Sequence, residues 1–208
     1  MDNLTDEKID YFNKLYKKAT DRFNPYVLIE NQSSGYVGWF VKLKIKKSIK
    51  ELKQCLEIIP KHINSTFILG KCFQSLADDN TALDWFERGL ETKFEELNYE
   101  EDIAKFGRLK NYCLLEASVI YAKRGYFEKS IDYGNRLLNS DHPKINVVSI
   151  LTNQAMNFII TGNDEEAEKF LDKALNSDPN DKITIKIKDV FNSIRNGQIN
   201  RPTTWDGF

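Results

Sequence analysis

Residues 148–181 read VSILTNQAMNFIITGNDEEAEKFLDKALNSDPND, and the order of apolar, small and turn residues in this stretch decides the fold. Leu151, Ala155 and Phe158 recur at the four- and three-residue spacing of one helix face. Gly162 then supplies a residue able to end a helix in the left-handed conformation. Asn163 or Asp164 can cap a new helix, in which Ala167, Leu171 and Ala174 again share a face, and Pro179 follows as a stop. The stretch predicts two short amphipathic helices joined by a tight corner.

The same punctuation recurs upstream. Ser48-Ile49-Lys50-Glu51-Leu52 leads to Cys55-Leu56 and Pro60, and Ser130-Ile131-Asp132-Tyr133-Gly134 leads to Leu137-Leu138 and then His142-Pro143. Ala82-Leu83-Asp84-Trp85-Phe86 leads to Gly89-Leu90 without the proline. Before three of these segments lies a small residue followed three positions later by an aromatic: Gly70 and Phe73, Ser118 and Tyr121, Ala155 and Phe158. A glycine inside a helix costs about 1 kcal/mol relative to alanine, so Gly70, Gly89 and Gly134 need a reason. Close backbone crossing between helices supplies one. Gly125, like Gly162, falls where a corner is expected.

These residues resemble the tetratricopeptide repeat, a 34-residue helix pair with small, aromatic and proline positions in fixed register. In 148–181 the matching positions are Leu151, Ala155, Phe158, Gly162, Ala167, Leu171, Ala174 and Pro179. The units 63–96 and 111–144 match more loosely, and Gly134 replaces an aromatic in the latter. The resemblance implies an all-α fold, a right-handed superhelical stack of antiparallel helix pairs. It would run from a degenerate unit at 29–62, through 63–96 and 111–144 with an insertion at 97–110, to 148–181. An N-terminal amphipathic helix within 1–28 and a capping helix at 183–195 would close the ends, because stacked repeats leave an apolar face at each terminus. Residues 196–208 read as a tail whose Trp205 and Phe208 either dock on the chain or hang free.

The register is poorest at its start. Tyr36 stands between Gly35 and Trp39 where a small residue belongs, and Trp39 to Lys47 alternates apolar and basic residues like a strand. The continuing repeat favours helix there, with a turn between two helices of the unit. Six lysines against Glu51 make 42–53 basic, and six acids against Lys93 make 91–102 acidic; solvated helix faces account for both, a complementary contact being the alternative.

Composition narrows the function. Ten glycines and five prolines in 208 residues, about 7% against a usual roughly 12%, disfavour a Gly/Pro-rich β fold or a flexible linker. A net charge of −1 is unlike that of a nucleic-acid binder, and no apolar run suits a bilayer span. The acidic start at Met1–Lys8 lacks a leader's apolar core, giving a cytoplasmic expectation. Cys55, Cys72 and Cys113 have no metal spacing and read as buried helix residues. His62 and His142 read as loop residues at unit ends. No metalloprotease, nucleophile-elbow or phosphate-loop pattern occurs, so neither enzyme nor cofactor is expected.

Binding remains. The resemblance implies that the first helices of successive units line a concave groove. Projected onto this chain, the candidates are Phe67, Lys71 and Gln74; Tyr112, Glu116 and Val119; and Asn153 and Met156 with Ser149, extended by Phe40. Their mixed chemistry suits a partner's extended peptide or helix. Glu116 opposes the carboxylate clamp used by heat-shock co-chaperones of the family. A homodimer with a self-occupied groove, or a small chaperone for one client protein, are the alternative readings.

Overall fold

Four of the described helices end in a corner that is built the same way each time. The computed structural model describes residues 5–27, 38–97, 99–140 and 146–208, with side chains except those of 24–27 and 101. Its helices are α1 (Asp6–Val27), α2 (Trp39–Ile58), α3 (Ile63–Ser75), α4 (Asp79–Glu91), α5 (Glu100–Lys123), α6 (Phe127–Leu138), α7 (Val147–Thr161), α8 (Asp164–Ser177) and α9 (Lys182–Arg195). Short 3₁₀ turns occur at Phe94–Glu96 and Trp205–Gly207, and no strand occurs among the described residues. The fold is all-α.

At the end of α7 the Asn163 N–H donates to the Phe158 carbonyl and the Gly162 N–H to that of Ile159. This pair of hydrogen bonds satisfies the last free carbonyls of a helix and requires a left-handed residue at its centre. The same pair closes α5 around Gly125 and α9 around Gly197, with φ of 79° and 70°. It also closes α3, but there Ala77 occupies the left-handed position, with φ 61°. An L side chain in that region costs about 1 kcal/mol. Ala77→Gly is therefore expected to stabilise the chain by about 0.5–1 kcal/mol, read as a higher urea midpoint at unchanged m-value. The residue after the corner caps the next helix: Asp78 accepts from the Thr81 N–H (3.1 Å) and Asn163 from the Glu166 N–H (3.3 Å). For α4 the cap is thus Asp78.

The chain divides into two compact units, Met1–Cys113 and Leu114–Phe208, with the boundary inside α5. In the first unit, α1 packs on α2, α2 on α3 and α3 on α4. Ala19 and Phe23 of α1, Ile45, Ile49 and Leu52 of α2, and Leu69 and Cys72 of α3 form one core cluster. The Ser48 hydroxyl donates to the Ala19 carbonyl at 3.0 Å, and Glu51 is paired with Arg22 and Lys18. In the second unit, α6 packs on α7, α7 on α8, and α9 on both α7 and α8. Leu151, Ala155 and Ile159 meet Ala167, Phe170, Leu171 and Ala174, and Ile187 and Phe191 of α9 cover them. Burying each of the large side chains is worth roughly 1.5–3 kcal/mol, which a lone helix pair cannot obtain.

The helix glycines stand at close crossings. A Cβ on Gly70 would fall 2.7–2.8 Å from atoms of the Phe86 ring, and one on Gly89 2.7 Å from the Cys113 sulfur. One on Gly134 would meet the Gln154 amide at 2.5 Å. That amide is itself fixed, donating to the Ile131 carbonyl (2.9 Å) and to Asn135 (3.0 Å).

Two stretches depart from the expected register. α2 is one continuous 20-residue helix, so no inter-helix turn interrupts residues 39–58, and among the described residues α2 packs on α1. Its buried residues Ile45, Ile49 and Leu52 follow helical spacing, which overrides the local alternation. Gly35 and Tyr36 lie outside the described residues. Lys42, Lys46, Lys50 and Lys53 consequently share the solvent side of α2. The 97–110 insertion goes largely into a 24-residue α5. Its acidic residues are not all solvated: Asp102 is 1% exposed.

Candidate functional site

Phe67 of α3 and Tyr112 of α5 come together as half-buried rings, stacked with centroids 5.7 Å apart and planes 28° apart. Phe67 also leans on Phe86 of α4 at 5.9 Å, and Phe86 is itself fully buried against Gly70. The pair is therefore backed by core. One turn along α3, Lys71 donates to the Gln74 side chain at 2.6 Å, both residues being half-buried. A flat aromatic surface thus sits beside a cationic and amide pair, with all four residues in the first unit. Rigid aromatics beside adaptable polar groups are the composition of peptide-recognition surfaces.

The remaining candidates distribute differently. Glu116 and Val119 are half-buried residues of α5 in the second unit, and Asn153 is half-buried on α7. Met156 packs against the second unit's core cluster, while Ser149 is exposed. Phe40 stands apart from the Phe67 set. It is 75% exposed in the first turn of α2, and its ring contact among the described residues is with Trp39, itself 67% exposed. The reason is the continuous α2, which carries position 40 onto the second helix of its pair. A separate cleft of about 410 Å³ opens near Leu56, Pro60, Lys61, Thr66, Trp85 and Arg88, where the Arg88 guanidinium lies 4.6 Å over the Trp85 ring. No sequence pattern pointed to it.

Sequence reasoning also missed a buried polar node. His62 lies in the connection between α2 and α3, as its place at a unit end implied, but it is 1% exposed and caps α3 by accepting the Ser65 N–H on Nδ1 at 3.1 Å. Accepting on Nδ1 leaves the ring proton on Nε2, which faces Asp102 Oδ1 at 3.5 Å. Asp102 in turn accepts from the Ile63 N–H (2.7 Å) and the Asn64 N–H (3.3 Å), so a carboxylate from α5 sits at the positive end of α3. Phe12, Tyr16 and Tyr99 pack edge-on around the imidazole at 4.8–5.1 Å. Burial, reinforced by the Lys105 charge, pushes the His62 pKa down to about 3.

Ser65, 2.6 Å from Nδ1, completes a Ser–His–Asp set resembling that of a hydrolase. Its members are all buried, with Ser65 fully so, and their geometry ties α3 to α5. Among the cysteines, burial pushes the Cys55 thiol up to about 12 and Cys72 higher still, so both stay protonated at neutral pH. Among the described residues, no group of three or more His, Cys, Asp or Glu is disposed to hold a metal ion. No described helix is long and apolar enough to cross a membrane. His142 and Pro143 lie outside the described residues.

Residues 148–181, which hold all but the first residue of the helix pair α7–α8 with its Gly162 corner and Ala155, Ala167 and Ala174 at the contact, match the family model of the tetratricopeptide repeat. The chain carries a tetratricopeptide repeat. No curated protein sequence matches it. Among solved structures it is similar to that of YrrB, described as a TPR protein with an unusual peptide-binding site, at 13% identity over 88% of this chain and 97% of that one, with a TM-score of 0.37. The tetratricopeptide assignment rests on the matched repeat and on the helix packing around it.

Proposed function

We propose that this tetratricopeptide-repeat chain is a non-catalytic interaction module that holds a segment of a partner protein against α3 and α5 of its first unit. The observation that carries this reading is the Phe67–Tyr112 stack, half-exposed and backed by buried Phe86. Aromatic anchors fixed by core packing lose little conformational entropy on binding, which is why a few of them dominate many interfaces. Lys71 and Gln74 would add hydrogen bonds to the partner's backbone or to an acidic side chain. The repeat in the second unit supports the same class of activity, since stacked helix pairs offer extended surfaces without needing a catalytic group.

The double variant Phe67→Ala/Tyr112→Ala is expected to stay helical, because both rings are half-exposed, and to lose at least about 100-fold in affinity, two hot-spot truncations of roughly 1.5–2 kcal/mol each. Affinity capture from the native host, with quantitative comparison to the unaltered chain, measures this. A folded double variant that retains the same partners would overturn the reading.

A further inference from the structure

The C-terminal segment is held on the second unit by contacts that differ in kind from those between helices. The Arg201 guanidinium donates to both Asp164 carboxylate oxygens, at 2.8 and 3.1 Å, and to the Ile159 carbonyl. The Trp205 indole N–H donates to Asn157 Oδ1 at 2.8 Å. Phe208 packs against the core cluster of α7, α8 and α9, and its carbonyl accepts from Lys186 Nζ at 3.2 Å. A 3₁₀ turn at Trp205–Gly207 sets the spacing between the two aromatics. The contacts run from side chains or a main-chain carbonyl of the segment to particular groups on the helices. That is how a groove reads a peptide.

Parts of the seat are also held by contacts that do not involve the segment. Asn157 is 0% exposed, and its Nδ2 donates to Ser130 Oγ at 2.8 Å, which fixes Oδ1 as the acceptor aimed at Trp205. Asp164 begins α8 beside the Asn163 cap, and the Ile159 carbonyl belongs to the end of α7. A pre-oriented acceptor, a carboxylate and an apolar contact already in position are the features of a site that binds without reorganising.

We propose that this face of α7–α9 is a recognition site for a partner segment of the form Arg-x-x-x-Trp-x-x-Phe, and that residues 201–208 are its intramolecular occupant. The tail then acts as a tethered competitor. A short tether gives it an effective concentration on the order of millimolar, so a partner gains access only by matching the same three anchors. This site lies in the second unit and does not depend on the Phe67–Tyr112 surface.

The test uses a labelled synthetic peptide of residues 199–208 and the full-length chain. Trp205→Ala/Phe208→Ala weakens the resident segment while leaving its seat intact. This variant is expected to bind the peptide at least ten-fold more tightly than the unaltered chain, by fluorescence anisotropy. Adding Asp164→Ala is expected to reverse most of that gain. Circular dichroism checks folding; if the double variant unfolds, Arg201→Ala, which keeps both aromatics, takes its place with the same expectation of tighter peptide binding. A folded variant that binds the peptide no better than the unaltered chain would overturn the proposal and leave the tail as a fixed cover of the last helix pair.

Discussion

Stability is expected to fall by about 1.4 kcal/mol for each pH unit between about pH 6 and pH 4, with His62→Asn removing most of that slope. The sign follows from the buried imidazole. An unfolded His62 takes up a proton near pH 6.5, while the folded one resists until about pH 3. Between those values the unfolded state binds more protons, so acid draws the equilibrium toward it; above pH 6.5 the contribution vanishes. An asparagine side chain at this position would keep an oxygen to accept the Ser65 N–H while removing the titration. Asp181 and Glu96, whose pKa values are also lowered, add acid sensitivity of their own that both chains share. The difference between their urea midpoints at several pH values therefore isolates His62. Parallel pH profiles for the two chains would contradict a buried neutral imidazole.

Asp102→Ala is expected to cost about 3 kcal/mol at pH 7, the second large effect. The carboxylate accepts from two backbone N–H groups at the start of α3 and faces the His62 Nε2 proton. Alanine leaves those donors buried without it, and each buried unsatisfied group costs roughly 1–3 kcal/mol, less where water enters. Asp102→Asn retains an acceptor and is expected to lose about half as much. Urea denaturation followed by circular dichroism measures both. Equal stability of the alanine variant and the unaltered chain would mean that α3 does not depend on α5 for its N-terminal cap.

How far the sequence carries the reader depends on whether a residue's reason is local. Gly125 and Gly162 were legible as corners because a left-handed residue announces itself as glycine, whereas Ala77 adopts the same conformation without any such mark. Gly70, Gly89 and Gly134 were legible as crossings because a helix glycine needs a justification, and the Phe86, Cys113 and Gln154 contacts supply it. The continuous α2 was harder to read, since alternating lysines imitate a strand until the burial of Ile45, Ile49 and Leu52 is known. His62 and Asp102 lie far apart along the chain, and nothing near either one signals that they meet. The repeat register assigned Phe67 and Tyr112 to equivalent positions of successive first helices, but their stacking is a tertiary contact that the register does not specify. Phe40 sits in the first turn of the continuous α2, whose extent the register did not give. The tail's seat was invisible for the same reason as the His62 node: Asn157, Asp164 and Lys186 converge only in the folded second unit.

The reading of this chain as a partner-binding module is tested most directly by site-specific photocrosslinking in its native host. A photoreactive phenylalanine analogue replaces Tyr112, and for comparison Lys50 on the exposed side of α2. The proposed binding face predicts a discrete crosslinked partner from position 112 that is absent from position 50 and lost when Phe67→Ala is added. Crosslinking at position 50 alone, or an unchanged product in the Phe67→Ala background, would contradict it.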